Sequence, residues 1–325
     1  MEIAVVIPTF NRAHLIADTL DSIVAQSYAP SEIIVVDDGS TDDTEAVLAP
    51  YAPDVRYLRI RNSGPCAARN RGVSATKAPW VAFCDSDDLW HQDRLRAQVD
   101  LCSKASDVQY CFTNFRWVRE GVWSDGSKFD GLPAHYWGSA IRDVSPDAFV
   151  LEENLFLQLL SHQPVLPSTL LMTRSFFQSA GGWNETLGRN PSEDIEFLFR
   201  CVVRPPIGVV TTPVVAKGEH SGNWTCNSYL AAVGLVDVLE QVYSTHPAAQ
   251  EYAVPLRRRI QALSARAVGG AFAAGDLDRV RQLLASIPLR ERSWKLHLRA
   301  LAAHVPHPVG SFLSSALSKA ARVRT

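Results

Sequence analysis

Three carboxylates fall within four positions at Asp85-Ser86-Asp87-Asp88, directly after the apolar run Val81-Ala82-Phe83-Cys84. An apolar run cut off by an abrupt change to polar residues reads as a buried strand and its end. Carboxylates this close cannot all be buried unpaired, because each raises its neighbours' pKa and desolvation adds on the order of several kcal/mol. A hard divalent cation resolves that conflict. Mg²⁺ and Mn²⁺ take oxygen ligands and keep water and substrate phosphates in the rest of their shell. In open α/β sheets ligands bind outside the carboxyl ends of the strands, where this cluster falls. The plainer alternative is an acidic turn capping a helix from about Leu89, for which Asp88 alone would serve.

A second acidic pair, Asp37-Asp38, follows the run Ile33-Ile34-Val35-Val36. Between the two clusters, Asn62-Ser63-Gly64-Pro65 supplies a tight turn, and Arg69 and Arg71 supply guanidiniums of the kind that bind phosphate bidentately. Either arginine by itself equally suits a solvated helix face. Far downstream, Ser192 stands before Glu193 and Asp194 at the start of an apolar helical pattern. With Ser192 as N-cap both carboxylates enter the first helical turn, where the helix dipole favours the ionised form. Ordinary helix-start chemistry would use the same residues.

These groups need strands and helices to present them. Apolar runs at Ile3–Ile7, Ile33–Val36, Val55–Ile60 and Trp80–Cys84 read as strands. Helical spacing at 15–24, from Thr41 and over 64–75 separates them, with Asn11 or Thr9 able to cap the first helix. Strand–helix alternation predicts a Rossmann-like α/β sheet with Ile3–Ile7 as a parallel central strand. Downstream, strands are expected over 108–114 and 167–172, a helix over 148–160, a short helix from Ser175, and an edge strand over 209–216. Residues 115–145 show no period and read as an insertion or loop, in which Trp117, Trp123, Tyr136 and Trp137 either stack on a flat ligand face, such as a sugar's, or fill core. From about Tyr229 the chain reads as helices broken at Pro255, Gly275, Pro288, Pro306 and Pro308.

The chain has 325 residues, 46% of them apolar and 20% charged, which fits a globular protein of one large or two smaller domains. A net charge of −2 gives no overall bias toward nucleic acid. The distribution is uneven: from residue 251 onward 13 Lys/Arg stand against 4 Asp/Glu, a balance of +9, so the first 250 residues carry −11. A basic tail with Phe312, Leu313, Ala316, Leu317 and Ala320 at helical spacing beside Lys319, Arg322 and Arg324 suggests peripheral contact with an anionic membrane. Six cysteines without a CxxC pair suit buried thiols in a reducing compartment. No signal peptide or spanning run is read, so the expected location is cytoplasmic, at most on the inner membrane face.

Four stretches in order resemble the successive motifs of family-two glycosyltransferases with the GT-A fold. They are Val5-Val6-Ile7-Pro8-Thr9-Phe10-Asn11-Arg12, Asp37-Asp38-Gly39-Ser40-Thr41-Asp42-Asp43-Thr44, residues 62–72, and Phe83-Cys84-Asp85-Ser86-Asp87-Asp88. Glu193-Asp194, downstream of Gly181-Gly182-Trp183, extends the match. The resemblance implies a GT-A Rossmann-like mixed sheet flanked by helices over residues 1–225, with a nucleotide-binding half (1–114) and an acceptor-side half (115–225). A helical region (226–325) follows.

It further implies an inverting transferase that moves a sugar from a nucleotide-sugar, a UDP-sugar by preference, to a hydroxyl of a glycan or lipid-linked acceptor. Pro8, Thr9 and Asn11 would contact the nucleotide. Asp38 would read the uracil, Arg69 would fix the nucleotide, and Asp85 would sit near the ribose or donor sugar. Asp87 would ligate Mn²⁺ or Mg²⁺, with His220 reaching the metal or diphosphate. Asp194 would be the general base and Glu193 its neighbouring competitor. Two other functions remain open on sequence. One is a nucleotidyltransferase, which would be expected to carry a Gly-rich basic loop after the first strand. The other is a non-catalytic binding protein on a decayed transferase fold.

Overall fold

A computed structural model describes residues 1–220 and 228–304. The chain forms two compact units, 1–221 and 222–325.

Unit 1 opens with β1 (Ile3–Thr9), α1 (Ile16–Val24), β2 (Glu32–Asp37), α2 (Thr44–Leu48), β3 (Val55–Arg59), α3 (Pro65–Ser74) and β4 (Trp80–Phe83). Every residue of β1 is buried, as a strand covered on both faces requires. α1 turns Ile16, Leu20 and Ile23 onto the sheet. The N-terminal strands pair in parallel, with Thr9 opposite Asp37 and Val6 opposite Phe83. That register delivers Thr9, Asp38 and Asp85 to the same carboxyl end of the sheet.

The chain continues through β5 (Leu89–Trp90), α4 (Arg94–Lys104), β6 (Tyr110–Arg119), β7 (Val122–Trp123), β8 (Ile141–Ser145), β9 (Ala148–Leu151), α5 (Phe156–Ser161), β10 (Leu170–Thr173), α6 (Arg174–Ser179), α7 (Glu193–Val202) and β11 (Ile207–Gly218). The sheet order is β3-β2-β1-β4-β10-β6-β11-β9-β8, with β5 on β11 and β7 on β6. β10 is antiparallel to β4 and β6, whereas β11 runs parallel to β6. The sheet is therefore mixed.

Several local expectations change. The stretch 148–160 is not one helix. Ala148, Val150 and Leu151 bury against β11 as strand β9, and Asn154 accepts the Phe156 amide to start the short α5. β11 is interior, paired with β6, β9 and β5, where an edge strand was expected. Asp88 caps no helix, since Leu89-Trp90 is a strand and α4 starts at Arg94. Neither Thr9 nor Asn11 caps α1, which follows Leu15 with no side-chain cap, and Ser192 gives α7 none either. Tyr136 is buried, and Trp137 packs on Phe112, Phe129 and Phe149.

Unit 2 consists of α8 (Ser228–Thr245), α9 (Ala253–Ala273), α10 (Leu277–Ala285) and α11 (Trp294–His304). Pro255 does not break a helix. It sits in the first turn of α9, where its missing N–H would have no intrahelical partner. Gly275, at φ +76°, and Pro288 separate the later helices. Pro306, Pro308, the 312–324 pattern and Cys226 lie outside the described residues. No described helix is long and apolar enough to cross a membrane.

Candidate active site

Asp88 is almost fully buried and is a structural member of the acidic cluster. Its Oδ1 accepts the Gly218 amide at 2.9 Å, and its Oδ2 accepts the Ser168 hydroxyl. Burial first, then the neighbouring Asp87 and Asp85, push its carboxyl well above the usual range, against the lowering effect of those two bonds. Ser168 also accepts the Asp85 amide at 2.9 Å, so one hydroxyl organises both ends of the triplet.

Asp87 and Asp85 face a different environment. Asp87 Oδ2 lies 2.9 Å from His220 Nε2 and 3.9 Å from Arg12 Nε. Asp85 Oδ1 accepts from Arg69 Nη2 at 2.7 Å. Among the described residues no three His, Cys, Asp or Glu side chains converge as a metal cluster. One carboxylate and one imidazole are nevertheless a workable protein donor pair. Mg²⁺-type sites commonly use one or two carboxylates and complete the shell with substrate phosphates and water. The donor chemistry of Asp87 and His220 fits such a cation.

Arg69 is the centre of the arrangement. Its guanidinium is 3% exposed, holds Asp85 with Nη2 and Glu193 Oε1 with Nη1 at 2.9 Å, and lies 4.7 Å over the Trp183 ring. Burial alone would lower its pKa, but Asp85 and Glu193 reverse the sign and raise it. The resemblance assigns Arg69 to the nucleotide; the structure gives its N–H groups to two carboxylates. Arg71, two residues on, is exposed. Asn70 holds the loop that carries Trp183: it donates to the Trp183 carbonyl and to Glu185, both at 2.8 Å, and accepts the Trp183 amide at 2.9 Å.

Glu193 is thus committed to Arg69, while the adjacent half-buried Asp194 accepts, among the described residues, only its neighbour's amide, Ile195, at 2.9 Å. Burial, and then the charge of Glu193, raise the Asp194 carboxyl to about 7, opposed by Arg69 and Lys217. The expected stabilisation of the ionised form by the helix dipole is outweighed.

The residues expected to contact a nucleotide meet at the ends of β1 and β2. Thr9 is buried and its hydroxyl has no partner among the described residues; Pro8 is buried in β1. Asn11, at φ +52°, accepts the Thr41 amide and gives its own amide to Ser40 Oγ, both at 2.8 Å. Asp38 accepts the Ser63 amide at 2.6 Å, the Gly64 amide at 2.9 Å and Arg189 Nη2 at 3.2 Å. Sequence reasoning gave no role to Ser168, Asn70, Trp183, Lys217 or Arg189, although Asn70 and Trp183 lie within the stretches that carry the resemblance. A cavity of about 550 Å³ lies apart, lined by His91, Arg96, Arg116, Asp147, the candidate stacking residue Trp123 and neighbours, and contains none of the predicted catalytic, nucleotide-binding or metal residues.

Fold and site together define a Rossmann-like domain that presents acidic groups at the carboxyl end of its sheet. Residues 4–156 match the family model described as glycosyl transferase family 2. TuaG of Bacillus subtilis, named for teichuronic acid biosynthesis, is 35% identical over 133 residues, which are 39% of this chain and 50% of TuaG. The structure of S. aureus TarS 1-349 in complex with UDP-GlcNAc superposes with a TM-score of 0.63 at 16% identity, covering 100% of this chain and 93% of that one. The Pyrobaculum calidifontis mannosyltransferase PcManGT, in complex with GDP-Man and Mn2+, gives a TM-score of 0.51 at 18% identity, over 98% and 80% of the two chains. The match to glycosyl transferase family 2 falls on residues 4–156, and the mixed α/β sheet with flanking helices has the GT-A fold of TarS. It spans from 26% to 58% of the length of the first curated relatives it matches.

The double bridge from Arg69 predicts a specific sensitivity. Lysine has one compact charge and cannot span both carboxylates, so Arg69→Lys should lower unfolding stability by about 1–3 kcal/mol. Exposed Arg71→Ala should stay within about 0.5 kcal/mol. Urea denaturation of the two variants checks the contrast, and equal effects would refute the clamp.

Proposed function

We propose that the chain transfers a sugar from a nucleotide-sugar, a UDP-sugar, to a hydroxyl of a glycan-type acceptor with inversion at the anomeric carbon. The observation that carries the reading is the bridge made by Arg69: it ties Asp85 of the donor-side cluster to Glu193, whose neighbour Asp194 is the half-buried carboxylate raised to about 7. A general base works best with a pKa near the operating pH. The names of TuaG and of the TarS complex with UDP-GlcNAc support polysaccharide synthesis and a UDP donor.

In this reading Asp194 accepts the proton of the acceptor hydroxyl. That oxygen forms its bond to the anomeric carbon as the bond to the diphosphate oxygen breaks on the opposite face, releasing UDP. Asp87 and His220 would hold Mn²⁺ or Mg²⁺; the PcManGT complex supports Mn²⁺. Bound there, the cation neutralises charge gathering on the leaving diphosphate. Asp85, oriented by Arg69, faces the donor, and Glu193 keeps Arg69 in place. The cation excess after residue 250, with exposed Trp294, Leu298 and Leu301 on α11, supports contact with an anionic membrane that presents a lipid-linked acceptor.

Kinetics, binding and sedimentation test this reading. Asp194→Asn should lower turnover by about 10²–10⁴-fold with UDP affinity unchanged, whereas Asp87→Ala should abolish Mn²⁺-dependent UDP binding. Transfer at the wild-type rate by Asp194→Asn, or unchanged UDP titration of Asp87→Ala, would overturn the respective assignment. Only ionised Asp194 accepts a proton, so kcat/KM should rise with pH along a limb near 7. Because the folded value exceeds the unfolded one, the same group favours folding most below about pH 4 and loses that contribution as pH rises toward 7. Glu193→Gln removes a negative neighbour and should move the kinetic limb to lower pH; a fixed limb would exclude Asp194 as its source. Finally, the protein should sediment with anionic and not with neutral liposomes; equal sedimentation counts against the membrane contact.

A further inference from the structure

The loop before α7 does more than lead into the base. Its 183–185 end is fastened to α3 by Asn70. Further along, Gly188 packs on the Gly64 turn so closely that a Cβ on Gly64 would sit 2.6 Å from the Gly188 carbonyl oxygen. Gly64 stands at φ +93°, so only glycine fits there on both counts. Between these fixings the loop delivers Arg189. Its guanidinium carbon lies 4.1 Å from the centre of the Phe10 ring, and its Nη2 donates to Asp38 Oδ2 at 3.2 Å and to Asn62 Oδ1 at 2.7 Å. The side chain is 35% exposed, so the contact is open to exchange with a ligand.

The arrangement copies how a pyrimidine would be held. A guanidinium is planar, stacks on an aromatic face and gives in-plane N–H groups to a carboxylate. A uracil stacked on Phe10 would give its own in-plane N–H to the same side of Asp38. The backbone amides of Ser63 and Gly64 already occupy one acceptor position on each Asp38 oxygen. The guanidinium and an incoming base would therefore compete for the remaining capacity of one carboxylate and for one ring face.

We propose that Arg189 is a specificity-determining residue that fills the nucleobase seat on Phe10, Asp38 and Asn62, and that the donor's base must displace it to bind. This rests on the donor reading above. A nucleotide whose base can both stack and donate to Asp38 replaces the stacking and the Asp38 bond, whereas one that can only stack leaves the Asp38 bond unreplaced and the Ser63 and Gly64 amides as that carboxylate's partners.

The test is UDP titration in Mn²⁺ with wild type, Arg189→Ala and Arg189→Lys. Removing a half-exposed cation–π contact and a half-exposed ion pair should lower the Kd for UDP by about fivefold to tenfold in Arg189→Ala. Arg189→Lys, which keeps the charge but loses the plane, should fall between. Damage to the fold weakens binding, so a gain of affinity is an outcome that a merely structural role would not produce. An equal or higher Kd in both variants, with wild type still binding UDP, overturns the inference alone. UDP binding to none of the three proteins overturns the donor assignment and this inference with it.

Discussion

One buried cation holds the two halves of the site together. Arg69 on α3 reaches Asp85 at the end of β4 and Glu193 at the start of α7, 124 residues away in sequence. Burying a charge is unfavourable unless it is paired with good geometry and its remaining donors are used. Two carboxylates and the face of Trp183 meet most of that demand, though Arg69 Nε finds no partner among the described residues. The compensation exists only when β4, α3, α7 and the Trp183 loop are all in place. Asn70, the next residue, ties that loop to the same helix. Two consecutive positions on α3 therefore fasten the segment from Trp183 to Glu193 to the N-terminal strands, and Asp85 to the neighbour of Asp194.

What could be read from sequence and what could not separate along a physical line. Strand ends were legible, because an apolar run that stops abruptly marks a buried strand leaving the core. The acidic residues at those ends followed directly. Their division of labour was not legible, because it depends on partners distant in the chain. Asp88 is structural on account of Gly218 and Ser168, 130 and 80 positions away. Arg69 and Arg71 looked equivalent, yet residues two apart on a helix point about 200° apart. Only one of them can face the buried side, and only the packing of α3 on β1 decides which. The 148–160 stretch misled for a related reason. A short alternating strand followed by a short helix reproduces helical spacing over a dozen residues, and only pairing with β11 breaks the ambiguity.

The chemistry of Asp194 turned on the relative size of two effects. A place in the first turn of α7 favours the carboxylate, by about 0.3–1 kcal/mol at an exposed terminus. Burial and the adjacent Glu193 oppose it, and each pKa unit corresponds to about 1.4 kcal/mol. A carboxyl raised to about 7 shows that the second pair dominates. The helix terminus still matters, but through direction. It sends Glu193 toward Arg69 and leaves Asp194, about 100° around the helix, free of that ion pair.

The interior placement of β11 then becomes a requirement and not a detail of topology. Four consecutive residues at its end carry separate tasks. Lys217 acts on Asp194 electrostatically, Gly218 gives its amide to Asp88, Glu219 bonds back to Val118, and His220 reaches Asp87. A Cβ on Gly218 would lie 2.1 Å from the Asp87 carbonyl oxygen, so the backbones run in contact at this point. An edge strand, held on one side only, would leave that approach loose. β11 is instead clamped by β6 along one side and by β9 and β5 along the other, and register shifts between Val210 and Val215 re-aim its last turn of sequence. The Asp87–His220 pair and the electrostatic setting of Asp194 therefore share one length of backbone, so that any shift of residues 217–220 changes both together.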